Sequence, residues 1–208
     1  MGGKMMGKAK ILSKIGASLL EVIAAVAIAS TALLLVYNVL NYNVRQNGIN
    51  HDKVRNTNVA YGALNYLTNY DFATLEEYLI DNTPNMYIRI TGASCSTAYF
   101  PDTQTCLGVL NPTLSNKSYT NDDIIIFIFP YRHTLAITNL REYIINPDNY
   151  RDKTVPPVLE NFINIERENA SDYTTDYSEI NVYSVLVYVK SGISHKYDIC
   201  LHGVITRD

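Results

Sequence analysis

Near the C-terminal end of the chain, Asp198, Cys200 and His202 alternate with Ile199 and Leu201. Side chains on a strand alternate with period two, so the acid, the thiol and the imidazole share one face, while Ile199, Leu201 and Ile205 share the other. These side-chain types hold transition metals or activate a thiol nucleophile. Successive members stand about 6.6 Å apart along an extended strand, too far to converge on one ion, so the row reads as the solvent face of a strand. His51 and His133 belong to no motif, and the sequence contains no H-E-x-x-H, G-x-S-x-G or glycine-rich phosphate loop. The sequence therefore predicts no enzyme: no catalytic residue, no metal ligand and no cofactor.

Cys95 and Cys106 enclose the turn-rich segment STAYFPDTQT. A disulfide between them would stabilise the fold by on the order of 3 kcal/mol in the loop-entropy model. Two separate loop thiols, or a pairing of either with Cys200, are the alternatives. With three cysteines, at least one thiol has no intramolecular partner. Tyrosine is abundant, at 17 residues, and tryptophan is absent. Tyr173, Tyr177, Tyr183 and Tyr188 fit half-buried strand positions first and a recognition surface second.

A third group with chemistry to explain is Glu21. Residues 17–36 are apolar except for Ser18, Glu21, Ser30 and Thr31, and twenty such residues span a bilayer as a helix. A carboxylate inside that run needs a cationic partner, a route to the interface or a proton. The preceding MGGKMMGKAKILSKIG carries Lys4, Lys8, Lys10 and Lys14 and no acid, which places the N-terminus on the cytoplasmic side. No small-residue cleavage site follows the run, as a secretory signal peptide would require, and no lipobox cysteine lies nearby.

Gly16 followed by Ala17-Ser18-Leu19-Leu20-Glu21-Val22 resembles the processing site of type IV pilins and pseudopilins: a basic leader, Gly at the cut, Glu as the fifth mature residue, then an unbroken apolar helix. Its wording is closer to minor pilins and pseudopilins than to major subunits, and it departs from the family in having Ala17 where a bulky residue is usual. The resemblance implies cleavage after Gly16 by a prepilin peptidase and methylation of the Ala17 amine. It also implies assembly into an envelope filament for adhesion, motility, DNA uptake or secretion. Other pilin subunits, the inner-membrane assembly machinery and, before assembly, membrane lipid are the implied partners. Glu21 would meet the terminal amine of a neighbouring subunit and set the register of assembly. The competing reading is an unprocessed, signal-anchored surface protein that binds a ligand through its outer domain.

The elements that position these residues begin with a helix over 17–70, about 80 Å long, whose first part, 17–40, is the transmembrane or filament-core segment. Gly48 is a candidate bend. Residues 71–208 form an extracellular or periplasmic α+β domain. Asp71 caps a short helix reaching Leu79. Strands are expected over 86–91, 123–130, 133–138 and 162–167. Ile180 to Lys190 and His195 to Thr206 form a hairpin through Ser191-Gly192-Ile193-Ser194. The predicted class is α+β, with a long N-terminal helix packed on a C-terminal antiparallel sheet, as the pilin resemblance also implies. A composition of 47% hydrophobic residues supports a core. The formal net charge of −3 becomes −7 without the four leader lysines, which argues against general nucleic-acid binding.

Overall fold

In a computed structural model of the chain, the residues described are 6–69, 71–81, 85–95, 103–120, 122–171, 180–192 and 194–207, with side chains from 19 onward except 78, 79 and 81. The chain divides into two units, Met1–Gly48 and Ile49–Asp208. Helix α1 spans Met6–Thr68 and continues through Gly48. The layout is α+β: a long, apolar N-terminal helix followed by a domain built on an antiparallel sheet, with the last turns of α1 packed on that sheet.

The sheet is laid out β1 (Ile88–Thr91), β4 (Ile124–Pro130), β5 (Val182–Val189), β6 (Ile199–Thr206), every pair antiparallel. Two short strands, β2 (Thr113–Leu114) and β3 (Lys117–Ser118), form a separate hairpin. IIIFIFP in β4 is buried at every position, because both faces of this central strand are covered. Its alternation sorts the core into two halves. Ile124, Ile126 and Ile128, with Val185, Val187 and Val189, meet Ala60, Ala63, Leu64 and Leu67 of α1. Ile125, Phe127 and Phe129, with Leu186 and Tyr188, meet helices α4 (Thr134–Ile144) and α5 (Pro157–Glu168).

Close approach on the α1 side is permitted by Gly203 of β6. A Cβ there would stand 2.9 Å from Leu64 Cδ1 and 3.3 Å from Thr68 Cγ2. Buried Asn56 of α1 accepts a hydrogen bond from the Tyr119 hydroxyl, which adds a directional contact to the apolar packing. Helix α2 (Phe72–Asp81) starts as the sequence predicts: Asp71 Oδ2 accepts from the Thr74 amide at 3.0 Å and its hydroxyl at 2.8 Å. These bonds hold the Asp71 carboxyl below its ordinary pKa.

Two expectations are corrected. Residues 133–138, expected as a strand, open α4: His133 is its N-cap and its Nδ1 accepts from the Ala136 amide. Ala136, Ile137, Leu140 and Ile144 recur at helical spacing and are fully buried, a period that six residues are too few to display. Residues 162–167, also expected as a strand, lie within α5. Pro157 occupies the first turn, where its missing N–H costs nothing, and Leu159 and Ile163 form the buried stripe. The expected final hairpin is present as β5 and β6, but His195–Tyr197 form a 3-10 turn before β6 begins at Ile199.

Leu67→Ala removes a side chain only 1% exposed and leaves a cavity on the sheet. It should lower the unfolding free energy of the domain by about 2–5 kcal/mol in chemical denaturation. Val26→Ala, on the exposed stretch of α1, should change it by less than about 0.5 kcal/mol.

Candidate functional site

Two regions carry unusual chemistry. The first is the N-terminal part of α1, whose backbone includes Gly16, Ala17 and Glu21. From Leu19 to Val44 the large apolar side chains are exposed, Leu20 at 72% and Leu33 at 69% among them. Ser30 donates its hydroxyl to the Val26 carbonyl and Thr31 to that of Ile28, so both are satisfied within the helix. Glu21 is the one charged side chain between Leu19 and Val44, and among the described residues no hydrogen bond or ion pair reaches it. By length and composition this helix is a candidate membrane span.

The second region is a polar cleft of about 330 Å³, whose lining includes Arg89, Asp122, Asp152, Tyr188, Lys190 and His195. The end of β5 supplies Tyr188, Lys190 follows directly after that strand, and the connection between α4 and α5 supplies Asp152. The 3-10 turn before β6 supplies His195. Asp198, whose side chain is fully enclosed, accepts from the Tyr188 hydroxyl at 2.6 Å and the Ser191 amide at 2.7 Å. His195 bridges the two acids: Nδ1 lies 2.8 Å from Asp198 Oδ2, and Nε2 lies 2.9 Å from Asp152 Oδ2. Lys190 Nζ meets Asp152 Oδ2 at 2.8 Å. At the rim, Arg89 pairs with Asp122 at 3.2 Å and lies over the Tyr143 ring.

The electrostatics follow from this geometry. Hydrogen bonding from Lys190, opposed by partial burial and reinforced by His195, lowers the Asp152 carboxyl to about 2. Burial lowers the pKa of His195, but Asp198 and then Asp152 overcome it, and the imidazole stays above its ordinary value. Burial and the adjacent Asp198 carboxylate raise the Tyr188 hydroxyl strongly. Stability contributed by His195 is thus fully present below about pH 6.5 and is lost as pH rises through its folded value. That of Asp152 is present above the unfolded carboxylate range and is lost as pH falls toward about 2.

The row Asp198, Cys200, His202 does not form one site, and its face is solvent only in part: Asp198 is buried and Cys200 half-buried, while His202 is exposed. Asp198 belongs to the cleft, Cys200 packs in the core half shared with α4 and α5, and His202 Nε2 lies 3.2 Å from Ser184 Oγ with its ring beside Phe162. Burial pushes the Cys200 thiol up to about 12 and holds His202 below its ordinary value. Among the described residues, no three His, Cys, Asp or Glu side chains are placed to hold a metal. Cys95 and Cys106 are joined by a disulfide that ties the 3-10 turn Gly92–Ser94 to helix α3 (Thr103–Leu110). Tyr183 and Tyr188 are core residues, while Tyr173 and Tyr177 lie outside the described residues.

The sequence reading missed Asp152, Lys190 and His195. A signal was present in His195-Lys196-Tyr197-Asp198, where i and i+3 meet across a single turn, but a strand reading puts those side chains on opposite faces. Asp152 joins them across 43 residues, a distance that local spacing does not encode. Comparison of the chain with protein-family models, curated proteins and solved structures finds no match.

Without reductant, one thiol per chain should react with a thiol reagent after denaturation, and it should be Cys200. In the native state at neutral pH that thiol should react far more slowly than a free cysteine, because its thiolate is disfavoured and it is packed against the core. Peptide mapping with mass labels checks both outcomes.

Proposed function

We propose that this chain is a minor type IV pilin or pseudopilin, cut after Gly16 and added through its N-terminal helix to an envelope filament. The observation that carries the reading is Glu21: the one charged side chain on an exposed apolar stretch of α1, five residues beyond a glycine that ends a lysine-bearing leader. Before assembly, the apolar stretch of α1 would sit in lipid with the leader in the cytoplasm. Cleavage would create an α-amine at Ala17, cationic near neutral pH and still cationic when methylated. In a bundle of such helices, that amine on one subunit answers Glu21 on the next. Breaking one partner of a buried ion pair costs roughly 3–5 kcal/mol, enough to penalise any other register.

The reading assigns the protein a mechanical or recognition role, with a prepilin peptidase, sister subunits and the inner-membrane assembly machinery as partners. The polar cleft favours one competing account, an unprocessed anchored protein whose outer domain binds a ligand. Both accounts use the same span, and they differ in the fate of the leader.

Intact mass and N-terminal sequencing of protein from membranes with and without a prepilin peptidase separates them. The pilin reading expects a chain beginning at Ala17 only when the peptidase is present, whereas retention of the leader in both membranes overturns it. Glu21→Ala should leave membrane insertion unchanged and reduce recovery in sheared filaments by roughly 100-fold or more, the factor that corresponds to 3–5 kcal/mol.

A further inference from the structure

The groups bonded to His195 and its two acids balance in charge only when the ring is protonated. Asp152 and Asp198 carry two negative charges and Lys190 carries one positive, so the imidazolium supplies the second. Its two N–H donors then match its two carboxylate neighbours. A neutral imidazole has one N–H and one lone pair. One of the two bonds must then become a lone pair facing a carboxylate oxygen less than 3 Å away.

The two acids are unequal in what they can tolerate. The Asp198 side chain is fully enclosed, so losing its bond to His195 would leave a buried carboxylate short of a donor, whereas Asp152 is 37% exposed and can be hydrated. The single proton therefore stays on Nδ1, toward Asp198, and the bond to Asp152 is the one given up. Asp152 also organises its own segment: Oδ1 accepts from the Thr154 amide and its carbonyl accepts from the Thr154 hydroxyl. Of the other groups around the ring, Lys196 of its own turn and Lys53 of α1 lie over Tyr197, Tyr188 is committed to Asp198, Lys190 holds Asp152 through a flexible stem, and Arg89, Arg151, Asp122 and Asp123 line the same cleft as two cations against two acids. Helix α5 packs against the same turn, and among the described residues none of its charged side chains bonds to His195.

We propose that His195 is a proton-operated clasp on the polar cleft. Protonated, it ties the connection carrying Asp152 to the turn carrying Asp198 and holds the cleft closed; neutral, it keeps Asp198 and releases Asp152. The connection between α4 and α5 then moves at one anchored point while β4 and β5 stay in place. This device does not depend on how the N-terminal helix is processed or assembled.

The test uses the full-length chain in detergent micelles, with amide hydrogen exchange corrected for intrinsic rates at about pH 5.5 and about pH 8.5, to either side of the imidazole range. Protection at Thr154 and its neighbours should fall about tenfold at the higher pH, with β4 amides unchanged as the internal control. His195→Gln, which has no titrating group, should show the lower protection at both pH values. Asp152→Asn should also remove the pH dependence, and it serves as a second variant should the first fold poorly. Protection at Thr154 that is the same at both pH values in the unaltered chain, or a pH dependence that persists in both variants, overturns the proposal.

Discussion

Strands β4 and β5 carry apolar side chains on both faces, and such a sheet is stable in water only when both faces are covered. The last turns of α1 cover one face and α4 with α5 cover the other. Burying a leucine or isoleucine side chain stabilises by about 1.5–3 kcal/mol, so each half of the core contributes far more than any single ion pair at the domain surface. Removing either helical layer would expose a contiguous apolar surface. The remaining features, from the cap at His133 to the close approach at Gly203, place those layers against the sheet.

Helix α1 meets two different demands within one continuous element. Beyond Ile49 its buried residues, Val59, Ala60, Ala63, Leu64 and Leu67, keep helical spacing and face the sheet. Before Gly48 the apolar residues surround the helix, and from Leu19 to Val44 their large side chains are exposed among the described residues. An apolar helix without a stripe has no preferred side to turn to a single domain face. It suits an environment that is apolar all round, as lipid is and as a bundle of similar helices is. The change from an all-round to a one-sided pattern near residue 48 matches the division of the chain into two units.

Much of this was legible in the sequence, for physical reasons that differ by element. The apolar run, the capped helix after Asp71, the buried strand IIIFIFP and the final pair of strands each carry their signal within a few residues. Helices α4 and α5 were not legible, because a six-residue window around Ile137 or Ile165 cannot separate period two from period 3.6. That error had a consequence. A strand reading of α4 and α5 leaves nothing to cover the second face of the sheet and makes Asp198 and Cys200 look solvent-facing, whereas Asp198 is buried and Cys200 half-buried. The cleft was hidden for another reason: its members lie at 89, 122, 152, 188, 190 and 195, and only the antiparallel register and the α4–α5 connection bring them together.

Two carboxylates in this chain illustrate one constraint with two solutions. Asp198 is enclosed, and the fold supplies what it needs from within: a hydroxyl, an amide and an imidazole, each within 2.8 Å. Glu21 lies on a candidate membrane span, and among the described residues no hydrogen bond or ion pair reaches it. A buried acid that is satisfied locally fixes the structure around it, as Asp198 fixes the turn before β6. An acid that its own chain leaves unsatisfied makes burial conditional on a second molecule, and the penalty for a wrong neighbour becomes a source of specificity. On the proposed reading, that is why a residue costly to a membrane helix is useful there: docking in the correct register relieves the cost that Glu21 bears in lipid, and a wrong register does not.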